Sequence, residues 1–108
     1  MSVAKSELPY FVRKQAEKAS QHLLAALHPR QLVAEIVGCR LVISEFCPHP
    51  THGSPIKTPF ALLDYQAGVW LLLFRGHNGS WQALPGDVPE RSIEKKIALI
   101  LQDCHGVF

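Results

Sequence analysis

The six residues Cys47-Pro48-His49-Pro50-Thr51-His52 hold the densest chemistry in the chain. Thiolate and imidazole are proper zinc ligands, and a structural zinc site takes four of them. Cys47, His49 and His52 supply three, and His77 in a later turn is the candidate for the fourth, with Cys104 and His105 as substitutes. The order Cys-x-His-x-x-His matches no ordinary finger pattern, and no Cys-x-x-Cys pair accompanies it. Pro48 and Pro50 also stiffen the stretch against convergence. The favoured reading is therefore loop residues without a ligand role, with zinc as the alternative. A cysteine nucleophile with His49, His77 or His105 as base lacks any oxyanion turn or nucleophile motif. Nothing in the spacing of Glu35, Glu45 and Asp64 fixes a carboxylate pair at working distance. Gly76, Gly79 and Gly86 do not stand in strand–glycine–helix order, which disfavours a phosphate loop. No catalytic residue is assigned, and no cofactor other than zinc is considered.

A second set of residues suits binding rather than catalysis. Tyr65, Trp70, Phe74 and Trp81, with Arg75, are candidates for a surface that stacks on a base or a peptide. Core packing competes with that reading, most strongly for Trp70. Arg13, Lys14 and Lys18, joined by Lys5, form a candidate anion surface, which Arg91, Lys95 and Lys96 extend toward nucleic acid. A solvated helix face competes with it. No aromatic residues interleave these bases. The excess of 11 Lys and Arg over 9 Asp and Glu is too small to imply nucleic acid.

The elements that must position these groups fit in one domain, residues 1–108. Hydrophobic residues make up 47% and charged residues 19%, which argues against disorder and hints at a covered face. The longest apolar run, Val69 to Phe74, is far shorter than the ~20 residues of a membrane span. The polar, basic start reads as no leader. Three cysteines are too few and odd in number for a disulfide framework. The expectation is a cytoplasmic protein with reduced thiols and no membrane partner.

Everything is organised around Phe60 to Pro85. Phe60–Tyr65, Val69–Arg75 and Trp81–Leu84 read as three successive strands, broken at Gln66-Ala67-Gly68 and at a turn holding Asn78-Gly79. Arg40–Phe46 is a further strand and Leu32–Val37 a short one. Residues 47–59 read as a long Pro- and His-containing loop. Ahead of these, a helix capped at Ser6 runs to His28, ended by Pro29, with Leu8, Phe11, Val12, Gln15, Ala16, Ala19, Leu23, Ala26 and Leu27 on its apolar stripe. A closing helix starts at Ser92, buries Ile93, Ile97, Ile100 and Leu101, and turns Glu94, Lys95 and Lys96 to solvent. Glu45 faces solvent or pairs with a cross-strand base such as Arg75. The result is an α+β fold: N-terminal helix, antiparallel sheet of about four strands, C-terminal helix, both helices on one face. Val69, Leu71 and Leu73 alternate with Trp70, Leu72 and Phe74, so the middle strand is apolar on both sides. A half-solvated sheet shows one polar face. The alternation predicts a second face covered by a dimer partner or by the long loop.

The order helix, Ile43-Ser44-Glu45, proline loop, Val69-Trp70-Leu71, Gly79-Ser80-Trp81-Gln82-Ala83-Leu84-Pro85, Ser92 helix and Asp103-Cys104-His105-Gly106-Val107-Phe108 resembles a family of small bacterial proteins catalogued as domain of unknown function 3024. The resemblance spans nearly the whole chain. It implies a compact α+β module without an assigned activity and brings no catalytic residues. The Cys/His loop is a departure from its pattern. The functional expectation is a non-catalytic module that binds protein or forms a homodimer. The alternatives are a zinc module and a weak nucleic-acid binder.

Overall fold

The computed structural model describes residues 7–48, 51, 53–103 and 106–108. Helix α1 spans Tyr10–Ala26, strand β1 Leu32–Val37, β2 Arg40–Cys47, β3 Ile56–Gln66, β4 Val69–Arg75, β5 Trp81–Ala83, and helix α2 Ile93–Gln102. The five strands lie side by side in chain order, each antiparallel to the next. Hairpins alone make such a meander. The Ala67-Gly68 turn needs positive φ at both positions, and they take 53° and 83°. That is the two-residue geometry that matches strand twist.

Register sorts the side chains. Leu41 faces Leu63 and Ile43 faces Ala61; Leu63 faces Leu72 and Tyr65 faces Trp70. These residues share one face. Both helices pack on it: Ala16, Ala19 and Leu23 from α1 and Ile93, Ile97 and Ile100 from α2 join Leu41, Ile43, Ala61, Leu63, Trp70 and Leu72 in one buried core. Each large aliphatic side chain so buried contributes about 1.5–3 kcal/mol. The stripe of α1 runs through Leu8, Val12, Ala16, Ala19, Leu23 and Leu27. Phe11, expected on it, is 70% exposed, because it lies one residue off that line. Gln15 and Ala26 are exposed for the same reason. Pro9 is the residue before the helix. Ser6, the expected cap, lies outside the described residues.

The sheet holds all five strands read from the sequence. Two expectations are corrected. The loop after β2 shortens to residues 48–55, because β3 begins at Ile56. Pro59 sits inside β3 beside the bulge between β2 and β3, a strand position that tolerates a missing N–H. Lys96 faces inward: it is fully buried, with Nζ 2.6 Å from Asp87 Oδ1 and donating also to the Val88 carbonyl. This clamp holds the segment after β5 along the edge of β4. Glu90 and Trp70 exchange backbone hydrogen bonds there, and the Leu72 N–H donates to Asp87 Oδ2.

Glu45 pairs with a base, as one of its two expected roles required, but the base is Arg30, just ahead of β1, and not Arg75. Its carboxylate accepts two hydrogen bonds from Arg30, from Nε at 3.2 Å and from the terminal nitrogen at 2.9 Å. Arg30 in turn lies over the Phe60 ring, 5.0 Å from its centre. The Arg30 hydrogen bond holds the Glu45 carboxyl below its usual range, against an opposing desolvation. A lowered native pKa stabilises the fold in full above the unfolded value and ceases to do so as pH falls through the native one. Urea unfolding from about pH 6 to about pH 3 is expected to show an acid-side loss of about 1 kcal/mol or less from this partly exposed pair. Arg30→Met should remove that component of the pH dependence; an unchanged acid limb in the variant would show that the pair contributes nothing.

Candidate functional site

The zinc ligands come first. β2 and β4 run parallel to each other, so the loop after β2 and the turn after β4 leave the same end of the sheet. Cys47 and His77 therefore share an end, a point the sequence left open. They do not share a level. Cys47 faces Ile56, whereas Phe74, one residue before the end of β4, faces Ala61. The tip of the β2–β3 hairpin thus projects about four residues, ~13 Å, past the end of β4. Cys47 and His77 are both exposed. His49 and His52, and the substitutes Cys104 and His105, lie outside the described residues. Among the described residues no three His, Cys, Asp or Glu side chains gather closely enough to hold a metal.

The four aromatic candidates fall into two groups. Trp70 is 1% exposed, and its ring lies 4.9 Å from that of Tyr65, tilted by 55°, on the helix-covered face. Phe74 packs against the same core. Trp81 pairs across the sheet with Arg75 and so lies on the other face, with the guanidinium 6.0 Å from its ring centre. One stacking surface does not form from all four.

The candidate anion surface is partly offset, one Glu17 carboxylate serving both Arg13 and Lys14, and Lys5 lies outside the described residues. Glu17 lies 3.3 Å from Arg13 and 3.6 Å from Lys14, Lys95 lies 3.5 Å from Glu90, and Lys96 is buried against Asp87. Lys18 makes no ion pair among the described residues and lines a cleft of about 410 Å³ between the two helices, together with Ala19, His22, Glu94, Ile97, Ala98 and Leu101. Its polar groups do not form a hydrogen-bonded acid–base pair.

What remains is the sheet itself. Its second face carries Val33 and Glu35 from β1, Val42 and Ser44 from β2, Leu62 and Asp64 from β3, Leu71 and Leu73 from β4, and Trp81 and Ala83 from β5. None of these belongs to the core under the helices. Val33, Val42, Leu71 and Leu73 are half-buried, and Leu62 between them is 5% exposed. The expected loop cover is absent among the described residues. Two ion pairs flank the apolar strip, Lys57–Glu35 at 2.9 Å and Arg40–Asp64 at 3.6 Å. Ser44, 1% exposed, keeps its hydroxyl without a hydrogen-bond partner. Sequence reasoning found the doubly apolar middle strand and missed these flanking pairs, whose partners come from different strands.

At the far end of the chain, Asp103 leaves α2 with φ 44° and its Oδ1 accepts from the Val107 and Phe108 N–H groups at 2.8 and 3.1 Å. The terminal Asp-x-x-Gly-x-Phe pattern is thus a structural lock that folds Val107 and Phe108 back onto the core.

The sequence model of a family described as a domain of unknown function (DUF3024) matches residues 4–108, in agreement with the resemblance read from the residues. No curated protein and no solved structure gives a significant match. No helix among the described residues is long and apolar enough to cross a membrane.

Proposed function

We propose that this chain, which belongs to the DUF3024 family, is a non-catalytic module that binds protein through the apolar face of its sheet and that also associates with a second copy of itself. One observation carries this reading: an apolar sheet face with no described element packed on it. Its large apolar side chains are half-buried, with Leu62 buried among them, and a contiguous apolar surface that no element covers marks an interaction site. Its charges favour a neutral partner, because Glu35 and Asp64 are each matched by a base on the same face. Nucleic acid requires a larger excess of bases: Lys95 and Lys96 each have a carboxylate, and Arg13 and Lys14 share Glu17.

Sedimentation equilibrium across the micromolar range tests the reading. The expected result is a mass moving toward twice the chain mass of 12.0 kDa as concentration rises. A single species of 12.0 kDa throughout would remove self-association from the proposal.

A further inference from the structure

The two edges of the sheet are treated differently. The β5 side is closed: β5 covers the end of β4, and the segment through Glu90 covers its beginning, held by the Lys96–Asp87 ion pair. Among the described residues nothing pairs with the β1 side. Exposed edges are normally blunted by proline, lysine, a bulge or a covering element. β1 reads Leu-Val-Ala-Glu-Ile-Val, and its pairing with β2 is unbroken. Its one charge, Glu35, is neutralised by Lys57.

The hydrogen-bond pattern of this edge is fixed. The Phe46 N–H donates to the Gln31 carbonyl, which makes residues 31 and 46 a hydrogen-bonded pair. Alternation then turns the main-chain groups of Val33, Glu35 and Val37 toward β2. Those of Leu32, Ala34 and Ile36 point outward, and no described backbone group outside the strand ladders meets them. On the helix side, a groove of about 210 Å³ runs beside the edge, with Leu24 of α1 above and Ala34 and Ile36 below.

Resting on the reading of a self-associating module, we infer that two copies join antiparallel through β1, with Ala34 on the two-fold axis. This register sets Ala34 opposite its own copy and Leu32 opposite the second Ile36. All the outward groups are then matched, forming about six main-chain hydrogen bonds, two from each facing pair. It also sets Glu35 opposite Val33. The neighbouring register centred on Glu35 places like charges face to face and loses bonds. Both copies keep their helices on the same side, so the open apolar face becomes continuous across a ten-stranded sheet and remains free for a further protein.

Ala34→Pro tests the edge selectively. The Ala34 N–H points away from β2, so proline removes an outward donor and leaves the β1–β2 ladder intact. Leu71→Lys tests the open face. The expected result is that Ala34→Pro sediments as a folded monomer while Leu71→Lys still dimerises. In the parent chain, amide exchange at Leu32, Ala34 and Ile36 should slow at least about tenfold from dilute to concentrated solution. This last measurement decides the matter even if the proline variant fails to fold. Dimerisation lost in Leu71→Lys and kept in Ala34→Pro, with fast exchange at those three amides, overturns the edge register and leaves the self-associating module standing. A parent that stays monomeric overturns both.

Discussion

Lys96→Met is expected to destabilise the protein by about 3–5 kcal/mol, the usual loss when one member of a buried ion pair is removed. The methionine keeps the length of the chain and discards the charge. What it leaves behind is the Asp87 carboxylate, whose side chain is 6% exposed. Its remaining hydrogen-bond partner among the described residues is the Leu72 N–H at 3.4 Å. A total stability of about 5–15 kcal/mol makes such a loss large. The double variant Lys96→Met with Asp87→Leu should recover much of it, because it removes both charges. Urea unfolding of the parent, the two single variants and the double variant gives the coupling directly. Equal losses in single and double variants would show that packing, not charge pairing, holds this corner. The local signature is faster amide exchange at Trp70 and Glu90, whose mutual hydrogen bonds depend on the clamp.

The position of Lys96 was legible in spacing and concealed by residue type. It lies three residues after Ile93 and four before Ile100, both 2% exposed, so a purely geometric stripe includes it. Hydropathy pushes it outward, and only Asp87, nine residues upstream, reverses the sign. Phe11 fails in the opposite way: its hydrophobicity places it inside, while its phase relative to Leu8, Val12 and Ala16 places it outside. Periodicity outranked residue type at both positions. The hairpins were clear because their signals are local, with Ala67-Gly68 and Asn78-Gly79 sitting at turns. Pro59 hid the first third of β3, since a proline reads as a break unless the adjoining bulge is known. The Arg30–Glu45 contact spans a strand pair, and no pattern along the chain announces it. For the candidate site, the doubly apolar β4 was readable. That the second face has no described cover depends on where α1 and α2 dock, which chain order alone leaves undetermined.

Trp70→Ala is expected to cost about 3–5 kcal/mol, and Trp81→Ala about 1 kcal/mol or less. The two tryptophans are eleven residues apart in neighbouring strands, and the sequence reading already gives Trp70 the stronger claim to the core. Their surroundings separate them. Trp70 is the largest fully buried side chain of the fold and packs on the Tyr65 ring, in a core that includes α2. Truncation removes the transfer energy of an indole and leaves a cavity that neither helix nor sheet can collapse to fill. Trp81 is only half-buried on the open face, where it touches Arg75 and little else is displaced by its loss. Unfolding curves for the two variants supply the comparison. If Trp81→Ala is the more damaging in a monomer, the assignment of faces from strand register is wrong. A different result distinguishes structure from binding. At a concentration where both variants remain folded, Trp81→Ala should weaken any protein that docks on the open face, whereas Trp70→Phe should leave docking intact while lowering stability.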